Sequence, residues 1–361
     1  MRNKVIHVLY HGQRVGRVAE TSDRLAAFEY DEQWLVDGFS ISPFKLPLEK
    51  KVFIAKSTPF NGNFGVFIDS MPDGWGRLLV DRMLIKKRIN PAEVSILDRL
   101  AIVGSSGMGA LEYQPEESLA DLAVSSDLNS LAREAEAILN DKYDGNLEEL
   151  VKAGGSSGGA RPKVLVNIAG VDWLIKFRSG EDPKNVGREE YRYSKMARLA
   201  GLDMPETRLF ERKFFGVKRF DRKADGSKVH MLSASALLDA SHRFPTLDYT
   251  DLLRGALNLT RDYSEVDKLF RLMCFNVFIH NRDDHAKNFS FLYDDGRWQV
   301  SPAYDLVYAA GMGGEHATTI AGEGKNPTEK DMLMVATMVG MNLRGAKRII
   351  AEVKEAVAKS N

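Results

Sequence analysis

The feature that most constrains the fold is a polar run, HNRDDHAKNF at residues 280–289, between an apolar helical stretch and a short predicted hairpin. Asp283 and Asn288 are five residues apart in this run, and Asp305 follows the hairpin. This spacing matches the catalytic-loop pattern of protein kinases. The order of the groups predicts a phosphoryl-transfer centre, in which one carboxylate orients or deprotonates a hydroxyl while an amide and a second carboxylate hold metal ions.

Each of these polar groups has a predicted role. Asp283 is the candidate catalytic base, and Asp284 is the weaker candidate because only Asp283 has an asparagine at the required spacing. Asn288 and Asp305 are candidate Mg²⁺ ligands, since this ion takes a few protein oxygens and fills its other positions with water and phosphate oxygens. His285 is expected to support the loop through hydrogen bonds. The plainer interpretation makes the two adjacent acids caps or solvated charges, the asparagine a turn residue and the last acid a helix N-cap.

A glycine-rich segment, GGSSGGARPK at residues 154–163, leads directly into a predicted strand at 164–168. Its glycines let backbone N–H groups approach phosphates closely, so its place before a strand favours a phosphate-binding loop over a flexible linker. It matches neither the Walker A motif nor Gly-x-Gly-x-x-Gly. Ser156 and Ser157 are candidate regulatory sites, because a phosphate there would bring up to two negative charges to the same place, or they are plain turn residues.

Lys176 lies on the strand predicted to return at residues 173–177 and is the candidate phosphate-binding lysine. Glu190, on the predicted helix that follows, is its candidate ion-pair partner, which would hold the lysine toward the phosphates of ATP. Glu189 is the alternative partner. Either glutamate could instead be a first-turn acid favoured by the helix dipole.

Composition excludes several classes of protein. The chain has 50 Lys and Arg against 50 Asp and Glu, and this zero net charge argues against a dedicated nucleic-acid binder. Its apolar runs are short and broken by charges, so neither a transmembrane helix nor a secretory signal is predicted, and a cytoplasmic location fits. The single cysteine, Cys274, excludes a disulfide scaffold within one chain and is predicted to be a buried structural thiol.

A chain of 361 residues is long for one core, so more than one packed unit is expected. We predict a small α+β subdomain over 1–115, a β-rich nucleotide-binding lobe over 116–220 and a helical catalytic lobe over 221–361. The fold class is therefore α+β, a bilobal protein-kinase-like fold with an added N-terminal subdomain. Apolar periodicity predicts helices at 75–88, 92–102, 127–137, 189–199, 249–257, 264–279 and 343–359.

Taken together, these segments resemble the HipA family of bacterial toxin–antitoxin serine/threonine kinases. The resemblance extends over nearly the whole chain, through FIDSMPDGWG at 67–76, SSGGARPK at 156–163 and HAKNFS at 285–290, of which the last is the most specific. One departure lies in the glycine-rich segment, where Pro162 lacks the N–H that another residue would offer to a phosphate.

The resemblance implies an ATP and Mg²⁺ site, with Asp283 as the catalytic residue and Ser156 as an inactivating autophosphorylated serine. With the groups named above, the ATP-binding residues are Gly158, Gly159, Ala160, Arg161, Lys163, Lys176, Glu190, Lys218, Arg219, Phe220, His285, Lys287, Asn288, Tyr304 and Asp305.

The resemblance also implies partners. The substrate would be an aminoacyl-tRNA synthetase, whose phosphorylation slows growth. A small helix-turn-helix antitoxin resembling HipB would bind DNA, and this chain would act as its corepressor, reaching DNA only through the antitoxin and no membrane. Two other functions stay open at this point: a small-molecule or lipid kinase, and an inactive kinase fold that serves as a binding or corepressor module.

Overall fold

The computed structural model describes residues 3–117, 119, 127–141, 147–155, 159–180, 182–241 and 244–360. The chain divides into two compact units. The first unit comprises Met1–Arg188 and Arg208–Met231, and the second comprises Glu189–Thr207 and Leu232–Asn361. Among the described residues, no helix is long and apolar enough to cross a membrane.

The first unit begins with a five-stranded antiparallel sheet in the order β4-β3-β2-β1-β5. Its strands are β1 (Val5–Tyr10), β2 (Gln13–Glu20), β3 (Ala26–Tyr30), β4 (Phe53–Ile54) and β5 (Leu111–Gln114). Alternation places Ile6, Val18 and Phe28 on one face, where all three are fully buried. The helices beside this sheet are α1 (Glu32–Asp37), α2 (Gly65–Ser70) and α4 (Ile96–Val103), while α3 (Gly74–Lys86) lies between α2 and α4 in the sequence.

The helix predicted at 92–102 starts later than the apolar pattern indicates. Residues Pro91–Glu93 form one 3-10 turn, and α4 begins only at Ile96. The reason is a capping box: the Ser95 side chain accepts a hydrogen bond from the Asp98 N–H at 3.1 Å, and the Asp98 carboxylate accepts one from the Ser95 backbone. The prediction was wrong at this end because the cap outweighs apolar periodicity.

A second sheet in the first unit has the order β6-β7-β9-β8. It comprises β6 (Lys163–Ile168), β7 (Val171–Lys176), β8 (Thr207–Phe210) and β9 (Phe214–Lys218). Two helices, α5 (Leu128–Leu139) and α6 (Leu147–Gly154), share its core with α3. Trp75, Leu150 and Ile175 belong to this core and are almost completely buried. The glycine-rich segment thus connects α6 to β6, and both of these elements contribute side chains to this core.

A buried ion-pair cluster closes the first unit after β9. The Asp221 carboxylate accepts hydrogen bonds from Arg219 Nη2 at 2.7 Å, Arg222 Nη1 at 2.9 Å and the Gly109 N–H at 2.8 Å. Burial alone would raise the pKa of Asp221, but the two guanidinium groups hold that pKa below its usual value. The cluster ties the segment that enters β5 to the segment that leaves β9.

The second unit is mainly helical. Its elements, with those at its boundary, are α7 (Val186–Leu199), β10 (His230–Ser233), α8 (Ala234–Leu238), β11 (Leu247–Asp248), α9 (Tyr249–Thr260), α10 (Tyr263–Phe278), β12 (Ser290–Asp294), β13 (Arg297–Val300), β14 (Thr318–Thr319), α11 (Glu329–Val339) and α12 (Leu343–Ser360). The predicted hairpin is present as β12 and β13, and Asp295 and Gly296 both have positive φ at its turn. Cys274 is buried in α10, as predicted, and burial raises the pKa of its thiol.

Candidate active site

The polar run at 280–289 forms a loop that is paired along its backbone. Helix α10 ends at Phe278, and His280 turns the chain with a φ of 53°. The Ala309 N–H then donates to the His280 carbonyl at 3.1 Å, and the Arg282 N–H donates to the Ala309 carbonyl at 3.2 Å. On the other side, the Ala317 N–H donates to the Arg282 carbonyl at 3.1 Å. The loop is therefore held between two neighbouring segments rather than exposed on both sides.

Asp284 anchors this loop in the core of the second unit. Its fully buried carboxylate accepts hydrogen bonds from Tyr249 Oη and His316 Nδ1, each at 2.9 Å, and from the Thr318 N–H at 3.3 Å. Thr318 Oγ1 also donates to the Asp284 carbonyl at 2.5 Å. Burial, and next the charge of Asp284, raise the pKa of Tyr249 well above its usual value, so its hydroxyl keeps the proton that it donates.

Asp283, the candidate base, is exposed as a direct consequence. Neighbouring side chains in an extended segment point to opposite sides, so anchoring Asp284 in the core turns Asp283 outward. The Asp283 side chain is 70% exposed, against 0% for Asp284. His285 Nε2 lies 4.0 Å from Asp283 Oδ1. Of the two adjacent acids, only Asp283 is placed to meet a substrate hydroxyl.

A chain of buried amides connects the loop to Asp305. Asn276 Nδ2 donates to Tyr249 Oη at 3.0 Å, and Asn281 Nδ2 donates both to Asn276 Oδ1 at 3.0 Å and to the Asp305 carbonyl at 3.3 Å. Both asparagines are almost completely buried. Asp305 has a φ of 58° and presents an exposed side chain. The backbones that carry Asp283 and Asp305 are therefore fixed by one network.

Asn288 and Tyr304 close the site from the hairpin side. Asn288 ends a 3-10 turn (Ala286–Asn288), and its Nδ2 donates to the Asp283 carbonyl at 2.7 Å. Tyr304 Oη donates to the Lys287 carbonyl at 2.7 Å and lies 2.6 Å from Ser290 Oγ. Because the amide nitrogen of Asn288 is used in this way, its Oδ1 remains as an oxygen ligand. An amide oxygen and an exposed Asp305 carboxylate fit the donors that Mg²⁺ prefers.

The predicted phosphate-binding residues of the first unit lie around the start of β6. The Gly159 carbonyl accepts from the Trp75 N–H at 2.9 Å, and the Gly159 N–H donates to Asp73 Oδ1. Lys163 and Lys176 are directly opposite partners in the β6–β7 pair, so both side chains lie on the same face of the sheet. Ser156, Ser157 and Gly158 lie outside the described residues.

The other predicted ATP-binding residues have different surroundings. Arg161 Nη2 forms an ion pair with Asp182 at 3.1 Å, and Ala160 is exposed beside it. The Arg219 guanidinium is buried and bonded to Asp221, while the backbone N–H of Arg219 donates to the Asp172 carbonyl at 2.9 Å. Lys218 and Phe220, on either side of Arg219, are partly exposed. Glu190 is buried in α7 in the second unit, and its pairing with Lys176 stays a prediction.

Gly74, the first residue of α3, tests how closely the first unit holds the glycine-rich segment. It has a φ of +43°, and a Cβ atom there would lie 2.5 Å from the Gly159 carbonyl oxygen. We expect Gly74→Ala to lower the free energy of unfolding by about 1–3 kcal/mol more than Gly170→Ala, measured by urea denaturation. Gly170 is the matched control because it has a φ of +81° with nothing within 4 Å. Equal losses of unfolding free energy in the two variants would show that the glycine-rich segment can move away from residue 74 at little cost.

Several residues of the site carry no signal in the sequence. Tyr249, His316 and Thr318 bind Asp284 from positions 32 to 35 residues away along the chain. The doublet Asp283-Asp284 is the one visible sign that two acids share one loop, and it does not say which is buried. Asp73 and Gly74, which hold Gly159, are likewise remote from the glycine-rich segment in sequence.

Comparison with known proteins places the chain among relatives. Residues 6–114 match the family model of the HipA N-terminal domain, and residues 155–360 match that of the HipA-like C-terminal domain. Two Sinorhizobium fredii proteins named "Putative kinase", Y4dM and Y4mE, are 25% and 27% identical to the chain. Their alignments cover 84% and 85% of this chain and 76% and 78% of those proteins.

A solved structure has the same fold. The HipA chain of Shewanella oneidensis MR-1, determined in a complex of HipA, HipB and operator DNA, superposes with a TM-score of 0.72 at 16% sequence identity. The match covers 98% of this chain and 90% of that one, and it confirms the predicted fold class. Since family models match both the N-terminal part and more than half of the chain at its C-terminal end, this protein belongs to the HipA family.

Proposed function

We propose that this protein is an ATP- and Mg²⁺-dependent serine/threonine protein kinase that acts as the toxin of a toxin–antitoxin module. The observation that carries the proposal is the loop in which Asp284 is anchored and Asp283 is exposed, with Asn288 bonded to the Asp283 carbonyl. Buried hydrogen bonds hold this loop in one conformation, and phosphoryl transfer depends on the precise positioning of the reacting groups. Family membership supports the same function.

Each unit contains residues that we assign to the reaction. In the first unit, we assign Lys163 and Lys176 to the phosphates of ATP, because they are directly opposite on neighbouring strands and so place two cations on one face of the sheet. In the second unit, Asn288 and Asp305 would hold Mg²⁺, which supplies positive charge against the phosphate oxygens when bound. Glu190 is the proposed partner of Lys176.

Asp283 has the central role in the proposed mechanism. Its carboxylate accepts a hydrogen bond from the hydroxyl of the acceptor serine or threonine and takes the proton as the oxygen attacks the γ-phosphorus. The bond between the γ-phosphorus and the bridging oxygen breaks, and ADP leaves with the electron pair of that bond. His285, 4.0 Å from Asp283 Oδ1, is placed to keep the carboxylate oriented.

The substrate, partner and regulation that we propose follow the family. The substrate is an aminoacyl-tRNA synthetase in the cytoplasm, and the partner is a helix-turn-helix antitoxin resembling HipB, through which the protein reaches DNA as a corepressor. The structure from Shewanella oneidensis contains HipB and operator DNA beside HipA, which supports this choice of partner. Autophosphorylation of Ser156 in the glycine-rich segment would switch the kinase off by adding negative charge where phosphates bind. We also propose the predicted division into an N-terminal subdomain at 1–115, a nucleotide-binding lobe at 116–220 and a helical catalytic lobe at 221–361.

The proposal is tested by incubating the protein with γ-labelled ATP, Mg²⁺ and a bacterial lysate. We expect label on one or a few lysate proteins, an aminoacyl-tRNA synthetase among them, and phosphopeptide mapping should find phosphate on Ser156. Chelation of Mg²⁺ should abolish both signals. Absence of label with retained operator binding in the presence of an antitoxin would instead identify an inactive corepressor, and label on lipid or metabolites alone would identify a different kinase class.

A further inference from the structure

The first unit contains a cavity of about 500 Å³ that lies apart from the glycine-rich segment. Its walls come from β1, β2, β3, α1 and residues 50–52. His7, Arg17 and Glu29 contribute side chains from the face of the sheet opposite the buried Ile6, Val18 and Phe28, which alternate with them. Volumes of roughly 300–1,000 Å³ are typical of sites for small organic ligands.

Strand register groups the cationic side chains of this cavity. His7 is opposite Arg17, and Arg17 is opposite Glu29, so the three form one row across β1, β2 and β3. Arg14 is opposite Leu9, which shares a face with His7, so Arg14 is the next side chain along the same face. After burial, the charges of Arg14 and then Arg17 lower the pKa of His7, as expected for cations at its side.

Two of the three acidic side chains of the cavity are ion-paired. Glu29 is paired with Arg17, and Glu32 with Lys50 at 2.6 Å. Asp31 caps α1 by accepting a hydrogen bond from a backbone N–H at 3.1 Å. The Asp31 carboxylate keeps its charge and raises the pKa of His7, so it acts against the larger effects of burial, Arg14 and Arg17, which lower that pKa.

Two nitrogen-containing groups of the cavity have no hydrogen-bond partner in the described part of the chain. Among the described residues, the Arg14 guanidinium makes no hydrogen bond and no ion pair, although it lines the cavity. His7 Nδ1 is shielded from solvent and likewise has no hydrogen-bond partner in the described part of the chain. An unsatisfied buried nitrogen costs free energy that a bound partner would recover. A cation and a hydrogen-bonding nitrogen side by side complement an anionic group.

We propose that this cavity binds a small organic anion, whose phosphate-monoester or carboxylate group is held by Arg14 and His7 and whose apolar part lies against Leu35 and Val52. The guanidinium fork matches the oxygens of both groups, and charge-assisted hydrogen bonds of this kind are among the stronger polar contacts in proteins. Leu35 and Val52 line the same cavity and supply the apolar wall. This site is separate from the proposed kinase site and does not depend on it.

The test is a titration of the full-length protein, with its histidine rings isotope-labelled, followed by NMR at constant ionic strength. The probes are inorganic phosphate, phenyl phosphate and benzoate, with chloride as the control anion, and loss of a signal in His7→Gln assigns the His7 ring. We expect a saturable shift of that ring and a rise in the pKa of His7, because a bound anion favours the protonated imidazole. Phenyl phosphate should bind more tightly than inorganic phosphate if the apolar wall contributes.

Matched variants decide between a site and a general charge effect. Arg14→Gln should weaken binding by roughly tenfold to a hundredfold, as expected for one charge-assisted hydrogen bond. Arg24→Gln removes an exposed arginine of the same sheet region that does not line the cavity, and it should leave binding unchanged. Lys176→Met, which affects the proposed ATP site, should also leave the His7 response intact. A response that does not saturate, that chloride reproduces, or that survives Arg14→Gln would overturn the proposal.

Discussion

Asp283→Asn is expected to lower the rate of phosphoryl transfer by roughly 10²–10⁴-fold, the usual contribution of a positioned general base. The substitution keeps the size of the side chain and removes only the carboxylate that would accept the hydroxyl proton. Because the Asp283 side chain is 70% exposed, the folded structure has little to lose, and stability should change by no more than about 0.5 kcal/mol. The measurement is label transfer from γ-labelled ATP to the lysate proteins under single-turnover conditions.

The matched control for this variant is Asp295→Asn. Asp295 is also exposed and lies in the turn of the β12–β13 hairpin, where its φ of 49° is one that asparagine tolerates well. It should transfer phosphate at the wild-type rate. If Asp283→Asn kept full activity with the same labelled products, Asp283 would have no role as a base. Loss of activity in both variants would point to damage outside the proposed chemistry.

Asp284→Ala is expected to lower the free energy of unfolding by about 3–5 kcal/mol, as found when one partner of a buried charged group is removed. The change leaves Tyr249 Oη, His316 Nδ1 and the Thr318 N–H without their acceptor in the core. Domains are stable by only about 5–15 kcal/mol, so this variant should unfold at a much lower urea concentration. The measurement is urea denaturation followed by circular dichroism.

Two further variants test whether this loss of stability comes from the Asp284 carboxylate. Asp283→Ala, one residue earlier, should leave the unfolding midpoint nearly unchanged, since its side chain is exposed. Thr318→Val removes the hydroxyl that donates to the Asp284 carbonyl at 2.5 Å but keeps the carboxylate network, and we expect about 1 kcal/mol of destabilisation. Equal midpoints for the two Asp→Ala variants would contradict the proposed anchoring role of Asp284.

The sequence predicted the local elements of the fold more reliably than their ends. The β12–β13 turn was readable because Asp-Gly suits the positive φ values found there. The apolar stripe of α10 located that helix to within one residue at each end. The start of α4 was misplaced because a capping box, not the apolar pattern, decides it. Helices α6 and α11 were not predicted at all, since neighbouring glycines and charges obscured their periodicity.

The sequence likewise predicted some features of the candidate site and not others. Asp283, Asn288 and Asp305 could be chosen from spacing, because the loop that carries them is contiguous apart from one hairpin. The burial of Asp284 could not be chosen, because it depends on Tyr249 and His316, which tertiary packing alone brings to it. Spacing in the sequence shows which polar groups share a loop, but only the folded structure shows which of them are buried and hydrogen-bonded in the core.

The double hydrogen bond of Asn281 has a consequence for how a movement at Asp305 would reach the loop at 280–289. Asn281 Nδ2 bonds to the Asp305 carbonyl and to Asn276 at once, so a backbone movement at Asp305 must break one of these hydrogen bonds or move the loop that carries Asp283 with it. The backbone positions of Asp283 and Asp305 are therefore coupled through one buried amide.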